Sequence, residues 1–428
     1  MKIALIHPPG NKNLKVPPLG LAYIAAVLKK NNLETKIIDL NLEKINFSDC
    51  LSNLNPDIVG ISSIVTNARQ ALELAKETKK VLPESFVVMG GPYPSMMGSG
   101  LLARHQEVDA NLTGEAEYTF LELVKRLQNQ QNLESVDGLI FWDKTKIKTN
   151  KPPKTINPLD KILFPAREEL KMQFYNENAG VIFTSRGCPQ QCIFCSRPVF
   201  GKTWRGHSPD YVLKEIEQLV NKYGVSVLSV LDDNFTVNIK RATKILDGII
   251  TKNWNLDIYF WNGLRADHMN QQLAAKLKKA GCTAINFGVE SVEPQVNLFI
   301  QKGVSLRQIE HAISVAQKAG IQANAFLMIG NPGDNSKSAD KLIDFVKQTK
   351  VDGVHLSMAT PIFGTPFWEW VQKKGRWLNY DKEELRDWPV DDDSGAYPVF
   401  ETSDFTAKQR TQAYKEVRSF LEEQELII

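Results

Sequence analysis

Cysteine is scarce in this 428-residue chain: five occur, an odd number, and three of them crowd into the eight residues from Cys188 to Cys195. A disulfide framework needs cysteines spread through a small secreted fold, so that class is excluded and a reducing cytoplasm is expected. Long apolar runs are lacking as well. The longest, such as Val227 to Leu231 and Ala325 to Gly330, are strand-sized, far below the ~20 residues of a membrane helix. Charge of one sign is not in excess: a formal net charge of +3 creates no field that would draw nucleic acid or an anionic membrane. The opening MKIALIHPPGNK has too short an apolar core for a secretory signal and reads as a first strand. Solenoid periods and low-complexity tracts are also missing.

What is present is ordinary globular composition, 43% hydrophobic and 24% charged, in a chain long enough for two or three domains. From Lys2 to about Leu127, short apolar runs alternate with helical patterns, as in KIALIH, GLAYIAAVLKKNN, TKIIDL and DIVGIS. That rhythm predicts an α/β, doubly wound parallel sheet. It lapses into a polar stretch containing GLIFWDKTKIKTN, then resumes from Gly180 with six candidate strands beginning at Val181, Val225, Asp257, Ala284, Gln322 and Gly353. Six βα units predict a partial parallel barrel. The expected organisation is a Rossmann-like domain at 1–130, a linker with a short hairpin at 131–179, the (β/α)6 partial barrel at 180–361, and an aromatic-rich, mostly helical region at 362–428. The aromatics of that last region, including Trp368, Trp370, Trp377 and Trp388, are read as the core of a small C-terminal layer.

Cys188, Cys192 and Cys195 have the spacing C-x3-C-x2-C and follow the first barrel strand, at the strand end where barrels carry their chemistry. Three thiolates on one loop suit an iron-sulfur cluster or, with a fourth ligand, zinc. No second C-x2-C or H-x3-H pair exists to complete a structural zinc site, and Cys50 and Cys282 are isolated, most simply small core residues. A 4Fe-4S cluster on three cysteines leaves one iron open for chemistry.

With aromatic Phe194 before its last cysteine, GCPQQCIFC resembles the signature of radical S-adenosylmethionine (SAM) enzymes. The resemblance implies a 4Fe-4S cluster on Cys188, Cys192 and Cys195, SAM on the open iron, Phe194 near its adenine, and a 5'-deoxyadenosyl radical as product of reductive cleavage. Later strand ends match the family pattern. Asp232 or Asp233 in LDDNFT would accept from the methionyl ammonium, with the other aspartate capping a helix, and Arg265 would hold the carboxylate. Glu290 in GVES suits the ribose hydroxyls, and the turn IGNPGD, with Gly330 and Asn331, lets backbone approach the adenine.

The blocks PPLGLAYIAAVLKKN, PDIVGISS, FVVMGGPYPS and LTGEAEYTF resemble the cobalamin-binding domain that precedes the barrel in one large radical SAM subfamily. The candidate corrin contacts at these strand ends are Gly20, Ser62, Ser63, Gly90, Gly91, Pro92, Gly114 and Glu115. The histidine-ligating motif D-x-H-x-x-G is broken: Leu5 stands at the aspartate position, so His7 is read as a strand-end residue.

The resemblance then implies cobalamin-dependent methyl transfer to an unactivated carbon, less often an sp2 carbon or phosphorus, of a small-molecule, lipid or peptide substrate. An external donor such as flavodoxin or ferredoxin would supply electrons. The alternatives are a radical SAM cyclase, carbon-coupling or rearrangement enzyme with a scaffold first domain, and a non-catalytic corrinoid or iron-sulfur sensor. Methylthiotransferases need three N-terminal cysteines, and radical RNA methylases need one late in the chain; neither set exists. Tyr259, His355, Tyr380 and Tyr397 are acid-base candidates, but no proton donor is assigned.

Overall fold

The first strand, β1 (Lys2–His7), is buried from Ile3 to Ile6 with no polar alternation, as a strand covered on both faces must be. The structure, a computed structural model, describes residues 1–10, 15–175, 179–378 and 397–428, and divides near residue 181 into two compact units, each taken by itself.

In the first unit, β1 is followed by α1 (Leu19–Lys30), β2 (Glu34–Asp39), α2 (Phe47–Leu54), β3 (Ile58–Ser62), α3 (Ala68–Val81), β4 (Phe86–Gly90), α4 (Pro92–Met97), α5 (Ser99–Arg104), β5 (Ala110–Leu112) and α6 (Glu117–Gln128). Helix α1 buries Leu21, Ala22, Ala25 and Leu28 and ends in Lys29 and Lys30, whose charges oppose the negative end of its dipole. The sheet order is β2-β1-β3-β4-β5, all parallel. It is doubly wound, with its topological switch at β1 and β3, so ligand-binding loops belong at the carboxyl ends of these strands.

The segment read as a linker is part of this unit. Strands β6 (Leu139–Asp143) and β7 (Lys146–Thr149) form the expected hairpin, but it joins the sheet antiparallel beyond β5. Leu139, Ile140 and Phe141 are buried there, apolar content the polar flanks concealed. Farther on, Tyr175 donates a 2.6 Å hydrogen bond to buried Asp39, tying the end of the segment back to β2.

The second unit opens with the short strands β8 (Val181–Ile182), β9 (Ser185–Arg186) and β10 (Arg205–Gly206). It continues with α7 (Pro209–Tyr223), β11 (Val227–Val230), α8 (Ile239–Lys252), β12 (Asp257–Phe260), α9 (Gln271–Ala280), β13 (Ala284–Glu290), α10 (Pro294–Phe299), α11 (Leu306–Lys318), β14 (Gln322–Ile329), α12 (Ser338–Thr349) and β15 (Gly353–Met358). Two parallel sheets, β12-β11-β8 and β13-β14-β15, are joined by bridges from Ile258 to Cys282 and from Leu264 to Phe287. The six predicted strands thus follow one another as an open barrel wall. Ser305 and Gln308 form a capping box on α11, a device that contributes about 1 kcal/mol. Cys282 is fully buried beside β13, a small core residue as expected.

The chain closes with α13 (Pro366–Lys374), the hairpin β16 (Arg376–Trp377) and β17 (Phe400–Glu401), and α14 (Ala407–Glu423). Phe367 and Phe400 meet edge-on at 5.5 Å in a core that also takes Trp370 and Trp377; Trp388 lies outside the described residues. Among the described residues, no helix is long and apolar enough to cross a membrane.

Candidate active site

The loop after β9 carries the three clustered cysteines, and its fixed point is the residue between them. Ile193 is buried among Val296, Ile300 and Phe367. Its N–H donates to the Ile300 carbonyl, and its own carbonyl accepts from Phe367 N–H, each at 3.1 Å. One apolar side chain inserted into the core holds the thiols outward: Cys188 and Cys192 are half-buried and Cys195 is exposed. Cys195 N–H closes a turn on the Cys192 carbonyl at 3.3 Å. Burial pushes the Cys192 thiol up, and nearby Lys302 pulls it back toward thiolate. Among the described residues, no three Cys, His, Asp or Glu side chains stand close enough to hold a metal ion as they are. The donor set itself, three soft thiols in eight residues of one loop, fits an iron-sulfur cluster.

The barrel strand ends surround this loop with two kinds of residue. Asp232 is a structural one. Its carboxylate accepts from Thr184 N–H at 2.6 Å and from the Thr184 and Ser185 hydroxyls at 2.5 Å. It braces the turn between β8 and β9, while Asp233 is the exposed member of the pair. Arg265 braces a second turn: its guanidinium makes a bidentate pair with Asp267, both bonds 2.8 Å, and reaches the carbonyls of Lys302 and Gly303 at 3.4 and 3.3 Å.

The cation aimed at the cysteine loop is Lys302, which the sequence did not reveal. Its ammonium donates to Glu290 at 2.8 Å and stands 6.0 Å from the centre of the Phe194 ring. Glu290 itself sits at φ +62° after a register shift in β13, the kind of backbone strain that concentrates at functional positions. At the end of β14, Gly330 and Asn331 are buried, and the Asn331 side-chain oxygen has no hydrogen-bond partner among the described residues. A buried acceptor left unmet is costly, and an amino group of SAM would satisfy it. Of the acid-base candidates, Tyr259 and Tyr397 are exposed. His355 meets Phe326 at a tilt, ring centres 5.0 Å apart, with its pKa lowered by burial, and Tyr380 lies outside the described residues.

In the first unit, the candidate corrin contacts fall at neighbouring strand ends, but several have internal work. Ser63 is buried, donating to Asn67 at 3.2 Å. Gly91, which caps α4 ahead of Pro92, holds φ +98°, and a β-carbon there would lie 2.9 Å from the Ser63 carbonyl. At Gly114 a β-carbon would meet Pro153 at 2.6 Å, and Glu115 accepts from Ile156 N–H at 3.1 Å. Those two positions serve the chain's own packing. Gly20, exposed in the first turn of α1, has open space beside it, and Ser62 and Gly90 end β3 and β4 half-buried; these fit a bulky planar ligand. His7 lies in register with Asp39 at the end of β1, its pKa lowered by burial, the strand-end residue it was expected to be.

Comparison with known proteins accounts for both units. Residues 182–346 match the radical SAM superfamily and residues 11–124 match the B12 binding domain. An uncharacterized methyltransferase of Pyrococcus horikoshii is 36% identical over 384 residues, covering 87% of this chain and 83% of that protein. The chain belongs to the B12-binding branch of the radical SAM superfamily. This radical SAM enzyme is also 27% identical, over 81% of its length and 76% of the relative's, to the cytidylyl-2-hydroxyethylphosphonate methyltransferase of Streptomyces wedmorensis. Its fold matches the radical SAM methyltransferase TsrM from Kitasatospora setae, solved with cobalamin and a [4Fe-4S] cluster, with a TM-score of 0.81 at 16% identity over 100% of this chain and 93% of that one. The cofactors of the branch are a 4Fe-4S cluster, SAM and cobalamin.

Proposed function

We propose that this radical SAM enzyme is a cobalamin-dependent methyltransferase acting on an unactivated carbon, an sp2 carbon or phosphorus of a small-molecule, lipid or peptide substrate. The observation that carries the reading is the 36% identity to a methyltransferase through both units. When bound, the cluster and SAM supply one-electron cleavage of the sulfonium, and cobalamin supplies methyl transfer. The chain's own residues do the holding. Cys188, Cys192 and Cys195 provide the thiolates, with Ile193 as the anchor of their loop. Phe194, Asp233, the Lys302–Glu290 pair and the Gly330–Asn331 turn receive SAM. Gly20, Ser62 and Gly90 present open or half-buried backbone to the corrin. An external flavodoxin or ferredoxin in the cytoplasm supplies electrons.

The test is protein made anaerobically with cobalamin supplied. Its visible spectrum and cobalt content should show corrin, and SAM plus a reductant should release 5'-deoxyadenosine. Corrin-free protein that still releases 5'-deoxyadenosine would sink the methyltransferase reading and leave a radical enzyme with a scaffold first domain. Release of neither would sink both.

A further inference from the structure

The turn after β14 is held from a helix eighty residues away. Gly330 and Asn331 both donate their backbone N–H to Asp334, at 2.9 and 2.8 Å. On the other side, the Gly330 carbonyl accepts from Arg410 Nη1 at 2.7 Å. Arg410 belongs to the first turn of α14 and is almost wholly buried. Its Nε donates to the Phe405 carbonyl at 2.9 Å, and its guanidinium lies 4.1 Å from the centre of the Phe400 ring and 4.9 Å from that of Phe405. The opposite charges of Asp334 and Arg410 act on each other.

Gly330 holds φ +96°, and a β-carbon there would come within 2.5 Å of Arg410 Nη1. The glycine expected to admit adenine therefore admits the arginine. A buried guanidinium is expensive to desolvate, so a fold that needed only to seat α14 would do better with an apolar side chain. The arginine is instead spread over the turn carrying Asn331, whose buried oxygen has no partner among the described residues.

We propose that Arg410 is a positioning residue for SAM: its bond to the Gly330 carbonyl fixes the Gly330–Asn331 turn so that the Asn331 side-chain oxygen can accept from the cofactor. The inference rests on the function proposed above. The test compares wild type, Arg410→Gln, Arg410→Lys and Val417→Ala as cluster-loaded enzymes. The readouts are SAM affinity by calorimetry, KM for SAM against kcat, iron content and urea unfolding. Val417 is fully buried on the same helix, seven residues beyond Arg410, so its variant destabilises α14 without removing the latch.

Arg410→Gln should weaken SAM binding about tenfold and raise KM more than it lowers kcat, with iron content unchanged. Arg410→Lys, which keeps the charge but loses the planar fork, should fall between. Val417→Ala should lose stability and keep wild-type SAM affinity. Wild-type affinity in both arginine variants overturns the proposal, and so does an equal loss of affinity in Val417→Ala. If Arg410→Gln does not fold, wild-type affinity in Arg410→Lys alone overturns it. A wild-type enzyme that binds no SAM removes the underlying functional reading instead.

Discussion

Lys302 and Glu290 form a mostly buried ion pair, 2.8 Å long, in a niche that exists because residue 288 is glycine. A β-carbon at Gly288 would collide with the Lys302 ammonium and lie 2.7 Å from the Glu290 carboxylate. The pair stands beside Cys192 and Phe194, so one small residue on β13 sets the charge arrangement facing the cysteine loop.

Gly288→Ala should therefore push aside the mobile ends of the Lys302 and Glu290 side chains and weaken their pair, destabilising the protein by about 1 kcal/mol. Lys302→Ala should cost less in the Gly288→Ala background than in wild type, because the clash and the pair involve the same ammonium. Urea unfolding of the four proteins in that cycle is the measurement. Strict additivity would show that the niche does not couple the two positions.

Ile193→Ala should loosen the cysteine loop at its fully inserted side chain. Truncating a buried Ile costs about 2–5 kcal/mol, and here the loss falls on the segment that presents the thiols. Iron bound per chain after anaerobic reconstitution should drop, while the three cysteines remain in place. Full iron content would mean that the loop is held elsewhere.

Gly114→Ala meets two separate costs, and a second substitution separates them. The left-handed backbone at φ +71° costs roughly 1 kcal/mol for any side chain. The remainder is contact with the Pro153 ring at 2.6 Å. Pro153→Ala should recover the steric part and leave the backbone part, as read by unfolding free energies; no recovery would place the strain wholly in the backbone.

Asp334 links stability to pH. Burial outweighs its two backbone N–H bonds and the charge of Arg410, and together with Glu293 raises its pKa from 3.8 to about 6. Between those values the folded chain keeps a proton that the unfolded chain has released. Stability should thus fall as pH climbs from about 4 to about 6, by up to ~3 kcal/mol, and then level off. Asp334→Asn should remove that slope, which urea midpoints across this range would show; an unchanged slope would assign it to another group.

The cysteine loop and all six barrel strands were legible because local spacing and apolar periodicity encode them. So was the doubly wound sheet. What escaped the sequence is long-range. Lys302 and Arg410 reach their sites from helices or turns whose local pattern says nothing of the destination. Asp232 and Asp233 are adjacent and chemically identical, and only the three donors from Thr184 and Ser185 decide which one turns inward. Gly114 was expected at the corrin and Gly330 at the SAM adenine. Their neighbours are Pro153 and Arg410, residues no local reading would pair with them.

The hairpin that extends the first sheet also changes what other molecules meet. A sheet ending at β5 would offer an open row of backbone donors and acceptors beside buried apolar strands, a template for uncontrolled strand addition. Here the outermost strand is β7, with the sequence KIKT, and Lys148 stands among Glu134 and Asp143. An incoming strand would have to strip water from those charges, so β6 and β7 guard the enzyme's first unit against aggregation along that edge.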